Sequence, residues 1–344
     1  MKYVGVDLHK QTISVCVVRV VRGARKVHER ARFDCSDTDR ITAWFGALGK
    51  YRVVVEATSC YEWFVALVER SAERVVLAHP KKLRIIAESS RKSDKLDAQV
   101  LAEELAKDSI PEAWRPTPRV REHRTLVRFR IFVQRRITSV KCKLRHLLAR
   151  HNADICELFS TQGRQKAQAV PLSESERFAF EQLWEEYDQL QNRLARAESQ
   201  LIKFARSAPL AEREAREVLE SIPCVGPVTI DVILSELGDF RRFRSHRDVT
   251  AFAGLAPGIR ESAGHAKQLQ ITKEGSRYLR WAMVEFAWRM TSKSRRWGLT
   301  YDRLKHRMGA KKAIVAIARR LLGVVLSMLR SGKMYRLAME AATT

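Results

Sequence analysis

The sequence predicts an α/β plus α fold: an N-terminal mixed sheet, a long helical segment and a mostly helical C-terminal region. Three observations support this. β-Branched runs alternate with short helical patterns over residues 1 to about 110. Two unusually long helical patterns follow, and the remainder shows helical periodicity interrupted by Pro and Gly. The expected boundaries are 1–112, 113–208 and 209–344.

In the first part, "YVGVDL" and "TISVCVVRVV" read as strands joined by a short polar turn, and "KVHERARFD" as a third. "DTDRITAWFGAL" reads as a helix, "YRVVVEAT" as a buried strand, "SCYEWFVALVER" as a helix and "RVVLAH" as a strand. "RKSDKLDAQVLAEEL" then opens a helix running to about Lys107. Three early strands followed by helix–strand alternation suggest a mixed sheet with its two central strands parallel.

The proline-rich "IPEAWRPTPR" reads as a linker. A helix is expected over 119–151, with apolar positions at Leu126, Val133, Ile137, Val140, Leu144 and Leu147. Between 115 and 150 stand 12 Lys or Arg against one acid, Glu122. That imbalance favours a phosphate-tracking stripe, with Arg128, Arg135, Arg136, Lys141 and Lys143 as nucleic-acid contacts. A second helix, 174–207, carries a heptad-like seam from Leu183 through Leu190, Ala197 and Phe204. The two helices form either an antiparallel hairpin or a dimer-forming coiled coil. In "REVLESIPCVGPVTIDVILSELG", Pro223, Gly226 and Pro227 separate two helices in the manner of a helix-hairpin-helix. Cys224 occupies its usual first glycine, and Gly226 is the expected phosphate contact. A Gly-, Ser- and Lys-rich loop and an amphipathic helix follow.

The chain has 344 residues, 64 Lys or Arg against 39 Asp or Glu, and a formal net charge of +25. A solubility charge is typically only about 2–8 units for a small domain, so a polyanion, most often nucleic acid, is the expected partner. Six scattered cysteines without Cys-x-x-Cys read as buried thiols of a reducing compartment. "MKYVGVDLHK" does not read as a signal peptide. "AIVAIARRLLGVVLSML" is too short and too charged to span a bilayer, so a cytoplasmic protein without membrane contact is expected.

The candidate catalytic acids are Asp7 at the end of the first strand, Glu56 at the end of the fourth, and Asp94 and Asp97 on one face of a later helix. Each has an ordinary alternative role: Asp94 as an N-cap, Asp97 as a favourable charge in the first helical turn. Together, in a strongly basic chain, they point elsewhere. Converging carboxylates cannot all stay ionised without a cation, and Mg²⁺ prefers hard oxygen ligands. Two such ions about 3.5–4 Å apart would clamp both sides of a phosphodiester displacement. Lys92 and Lys95 would steer the nucleic-acid backbone.

"GVDLHKQTISV", "VVVEAT" and "KSDKLDAQVLAE" place these acids in the order and context of the IS one-ten (DEDD) insertion-sequence transposases, which the chain resembles over nearly its whole length. The group includes the Piv DNA invertase. The resemblance implies an N-terminal ribonuclease-H-like domain of the RuvC type. It also implies a C-terminal serine motif, to which "GLAPG", "ESAGHAK" and "ITKEGSRYLRW" correspond. Ser262 falls at the catalytic serine, with Ala263 in place of the usual glycine and His265 near the usual lysine. Lys267, Lys273, Arg277 and Arg280 are candidate phosphate contacts. By resemblance the chain is a DNA transposase or serine recombinase that rejoins DNA through a phosphoserine. It would act as a dimer or tetramer on donor and target duplexes, guided by a structured non-coding RNA. The rival readings are a hydrolytic, structure-selective endonuclease using only the four acids, a sugar-kinase-like ATPase, and a non-catalytic scaffold. The ATPase reading conflicts with His9 and Lys10 where a glycine-rich phosphate loop is required.

Overall fold

The computed structural model describes residues 1–58, 60–80, 82–83, 94–262 and 265–335, without the side chains of 94–97 and 259–269. The chain divides into two compact units, Met1–Arg115 and Pro116–Thr344.

The first unit is built on a five-stranded sheet in the order β3-β2-β1-β4-β5. β1 (Lys2–Leu8), β2 (Thr12–Val21) and β3 (Ala24–Asp34) form an antiparallel meander. Arg22 and Gly23 both take positive φ, as a tight two-residue hairpin requires, so the run of β-branched residues turns there. α1 (Thr38–Ala47) and α2 (Tyr61–Val68) flank β4 (Tyr51–Glu56), which lies parallel to β1 on one side and to β5 (Arg74–Ala78) on the other. Val53, Val54 and Val55 are all fully buried, because β4 is covered on both faces. Phe45 and Phe64 cover one face, while α3 (Asp94–Ala106) covers the other. The expected linker is partly ordered as a pairing segment: Glu112 bridges antiparallel to Ala78, and Ala113 N–H donates to the Leu77 carbonyl. An edge strand with open hydrogen-bonding groups explains that capture.

In the second unit, α4 (Pro118–Ala149) and α6 (Glu174–Arg206) run antiparallel, with α5 (Thr161–Gln168) between them in sequence. Val133, Ile137, Val140 and Leu144 pack with Phe180, Trp184, Tyr187 and Leu190. Arg130–Glu198 and Arg136–Glu186 cross the pair. The seam is therefore filled from within the chain, as the hairpin alternative expects. A Ser173–Glu176 capping box starts α6, and its hydrogen bonds, with one from His151, lower the Glu176 carboxyl to about 2.

α7 (Leu210–Glu220), α8 (Pro227–Leu237), a 3₁₀ turn (Phe240–Arg242) and α9 (His246–Phe252) lead to the hairpin β6 (Pro257–Ser262)–β7 (His265–Ile271). α10 (Arg277–Lys293), α11 (Arg295–Met308) and α12 (Ala310–Ser331) complete the unit. Its core gathers Leu219, Ile233, Met283, Phe286, Ile317, Leu322 and Val325. No helix among the described residues is long and apolar enough to cross a membrane. All six cysteines are free, but Cys142 and Cys156 are exposed rather than buried. Cys142 stands between Lys141 and Lys143 on the outer side of α4, where an isolated thiol follows the helix face it occupies.

Candidate active site

Asp7 and Glu56 are brought together by strand register. β1 and β4 are paired in parallel through Val6↔Val55, so the next residue on each strand, Asp7 and Glu56, stands on the same face of adjacent strands. On its other side Asp7 is registered with the buried Ser14 of β2.

Gly5 shows what covers that face. A Cβ placed there would overlap the Ala98 carbonyl oxygen and the Ala102 nitrogen of α3, so only glycine admits the helix at this distance. The direction of α3 follows from its partners on β3. Arg30, in the same sheet row as Cys16 and Gly5, donates to Gln99. Arg25, whose row lies beyond the far end of β1, acts on Glu104 instead. Burial works to raise the Glu104 carboxyl, but hydrogen bonds from Lys107 and Ser109 and the charges of Lys107 and Arg25 outweigh it, so the group sits below its ordinary value. The N-terminus of α3 therefore points toward the Asp7 end of the sheet. From Gly5 to Asp7 is about 7 Å along a strand, and from Ala98 back to Asp94 is about 6 Å along a helix. Backbone positions 94 and 97 thus overlie the strand ends that carry Asp7 and Glu56. The side chains of Asp94, Lys95 and Asp97, and all of Lys92, lie outside the described residues.

His9 is the member that sequence reasoning missed. Its Nε2 lies 3.0 Å from Asp7 Oδ2, and the ring is half exposed while Asp7 is mostly covered. Its signal in the sequence is its place two residues after the strand-end acid. Among the described residues no group of three or more metal-ligating side chains gathers. Asp7 and Glu56 nonetheless supply two hard carboxylate donors at one sheet edge, a chemistry that suits Mg²⁺ or a similar divalent ion.

Ser262 belongs to a strand, not a loop. It is the last residue of β6 and is registered opposite His265, the first residue of β7. The period-two pattern of "KQLQI" and the two-residue connection explain the hairpin. Ala263 and Gly264 lie outside the described residues. The hairpin is clamped at its foot. Gly254 and Gly275 take positive φ and pack so closely that a Cβ on Gly275 would overlap the Phe252 carbonyl. Thr272 N–H donates to the Ala256 carbonyl, and Arg280 donates to that of Ala253.

The helix-hairpin-helix-like turn has Gly226 as the N-cap of α8 with Pro227 first in the helix. Cys224 takes φ 67°, the left-handed conformation that glycine would adopt more easily. Arg289 Nη1 lies 4.0 Å from the position of a Gly226 Cβ.

The expected phosphate contacts divide into two groups. Arg128 makes a bidentate pair with Glu236, at 3.0 and 3.1 Å, and Glu236 is buried. Its neighbours are also engaged: Arg119 pairs with Glu212, His123 with Asp231, and Arg124 donates to the Ser235 and Glu236 carbonyls. Arg136 pairs with Glu186, Arg135 and Arg277 lie over the Tyr278 ring, and Lys141 lies over Phe159 and Tyr187. Lys143 and Lys273 are exposed. The side chain of Lys267 is outside the described residues.

Two family profiles cover most of this architecture. One, a DEDD transposase of the IS110 type, matches residues 4–153 and so spans the whole acid edge. The other, the IS116/IS110/IS902 transposase family, matches 216–302, which holds the glycine turn, the Ser262 hairpin and α10. The chain belongs to the IS110 family of transposases. Membership makes it an enzyme that cleaves and joins DNA strands, and DEDD transposases are typically dependent on a divalent metal. A protein named as a transposase in Sinorhizobium fredii is 30% identical over 165 residues, 46% of this chain and 41% of that protein. The transposase of insertion sequence element IS1111A from Coxiella burnetii is 24% identical over 72% of this chain and 69% of its own length. The pilin gene-inverting protein of Moraxella bovis is 22% identical over 96% of both chains. Proteins similar to this chain thus include both transposases and a gene-inverting protein.

Proposed function

We propose that this transposase cuts and rejoins DNA through a covalent link to Ser262, assisted by divalent ions, best matched by two Mg²⁺, at Asp7, Glu56, Asp94 and Asp97. The observation that carries the proposal is the meeting of parallel strand ends with the N-terminus of α3, which brings four acid positions to one edge. Bound there, the ions would supply Lewis-acid stabilisation of phosphate charge. The chain's own part begins at the serine. Ser262 Oγ attacks phosphorus, its proton leaves, the P–O3′ bond breaks and the 3′ oxygen takes up a proton. A 5′-phosphoserine and a free 3′-hydroxyl result. Because the ester conserves the broken bond, a second 3′-hydroxyl can displace the serine and reseal the strand without ATP.

A serine hydroxyl needs help in losing its proton. The acid edge of one protomer serving Ser262 of another, in a dimer or tetramer, provides that help. An RNA from the element would select donor and target by base pairing, leaving the protein to read backbone and shape. The charge of +25 and the exposed cations of α4 support a polyanionic guide.

Recombination of paired donor and target duplexes, with and without RNA and Mg²⁺, tests this reading. Ser262→Ala is expected to abolish strand exchange and the covalent protein–DNA species. Undiminished strand breakage by that variant would instead establish hydrolysis by the acids alone. Asp7→Asn is expected to abolish both products while leaving thermal unfolding nearly unchanged.

A further inference from the structure

A second basic surface lies on α10 and α11 and meets the α4 stripe at Tyr278. Residues 277–312 hold eleven Lys or Arg against two acids, Glu285 and Asp302. Leu299 of α11 is exposed within it, as are two large aromatic side chains of α10, Trp281 at 39% and Trp288 at 43%. The two tryptophans are seven residues apart, so they share one face of α10 and stand about 10 Å apart along its axis. Trp288 is held edge-on by Tyr301 of α11, with ring centroids 5.5 Å apart, which fixes its ring while leaving part of it open.

Cationic groups mark both ends of the stripe. At the N-terminal end, Tyr278 is surrounded by Arg128, Arg135 and Arg277. At the other end, Arg289 follows Trp288 and reaches the glycine turn at the N-terminal, electropositive end of α8.

We propose that this face of α10 is a stacking platform for the unpaired bases of single-stranded DNA, with Arg289 and the start of α8 holding its phosphates. Flat indoles between cations suit bases that have left a duplex, since every base offers a π-face and every nucleotide a phosphate. A second copy of the chain is disfavoured as occupant, because a two-fold contact would set eleven cations against eleven. Cutting and joining DNA strands generates unpaired bases, so the family's reaction supplies the ligand. The proposal rests on action upon DNA but not on Ser262 or on any metal, and its test requires no cleavage.

The full-length protein would be titrated with a short single-stranded DNA oligonucleotide, its blunt duplex and the matching RNA, following tryptophan fluorescence and affinity. Single-stranded DNA should quench the fluorescence. The W281A/W288A double variant should bind it at least ten-fold more weakly while changing duplex affinity less than about two-fold. W281F/W288F, which keeps flat rings on the same backbone, should retain most of the affinity. Equal losses on duplex and single strand would overturn the proposal. So would unchanged DNA affinity accompanied by loss of self-association in sedimentation, which would make the face a contact between copies. Tighter, equally tryptophan-dependent binding of the RNA would overturn the assignment to DNA.

Discussion

The acid edge and the serine hairpin are fixed by different means. Asp7 and Glu56 sit at the ends of central strands whose interior is packed solid, with Val4, Val6, Val53 and Val55 all fully buried. Ser262 stands at the far end of a two-stranded hairpin whose foot is held by Gly254, Gly275 and Arg280. A hairpin of two strands contributes little stability of its own. Asp7 and Glu56 are thus placed by the folding of the sheet, while the proposed nucleophile, Ser262, stands at the end of a hairpin strand. That division suits a reaction in which a fixed electrostatic site must receive a delivered hydroxyl.

The largest expected effect comes from breaking the fixed partner. Gly5→Leu would drive side-chain atoms into the backbone of α3 at Ala98 and Ala102. Overpacking of this kind costs about 3 kcal/mol or more. Thermal unfolding should drop markedly, and cleavage should be lost with it, because positions 94 and 97 are carried away from the strand ends. A stable Gly5→Leu variant that still cuts DNA would show that α3 need not lie against β1.

Breaking the anchor of the hairpin should act locally. Gly275→Ala places a Cβ against the Phe252 carbonyl at φ 103°. Strain at such a position costs about 1–3 kcal/mol. Amide exchange should accelerate in 257–271 while the five-stranded sheet keeps its protection. Strand exchange should fall with the hairpin's order. Uniform loss of protection through both units would contradict the separate anchoring of the two elements.

Much of this comparison is legible in the sequence, and the illegible parts have definite causes. β-Branched runs and helical periodicity reveal the strands and helices because each registers burial on a fixed face. The adjacency of β1 and β4 follows from the meander and crossover pattern. The use of Gly5 does not, because a missing Cβ records a close approach without naming the partner. Ser262 reads as a loop residue because Gly, Ser and Lys dominate the local composition, while the alternation that makes β7 a strand occupies only a few residues. Cys224 conceals a left-handed turn, since its side chain gives no sign of a positive φ. The basic helix misleads most: counting charges along 115–150 cannot show that Arg119, His123, Arg124 and Arg128 face the acids and carbonyls of α7 and α8.

That last point separates two halves of α4 experimentally. Arg128→Ala would leave Glu236, almost fully buried, without its bidentate partner. Breaking a buried pair costs about 3–5 kcal/mol, and the partial exposure of Arg128 reduces this to roughly 2 kcal/mol. Unfolding should shift, and DNA or RNA affinity should change only through that instability. A neutral Glu236→Gln partner introduced with Arg128→Ala should recover part of the loss.

Lys143→Ala should behave oppositely. The residue is exposed, so stability should be unaffected to within about 0.5 kcal/mol. If Lys143 neutralises a phosphate, removing it weakens binding uniformly across sequences and reduces the slope of log affinity against log salt by about one unit. The slope is the decisive quantity, because a structural residue can lower affinity through misfolding but cannot selectively remove one released counterion. An unchanged slope for Lys143→Ala beside a reduced slope for Arg128→Ala would reverse the assignment, placing the nucleic acid along the half of α4 whose side chains pair with the acids of α7 and α8.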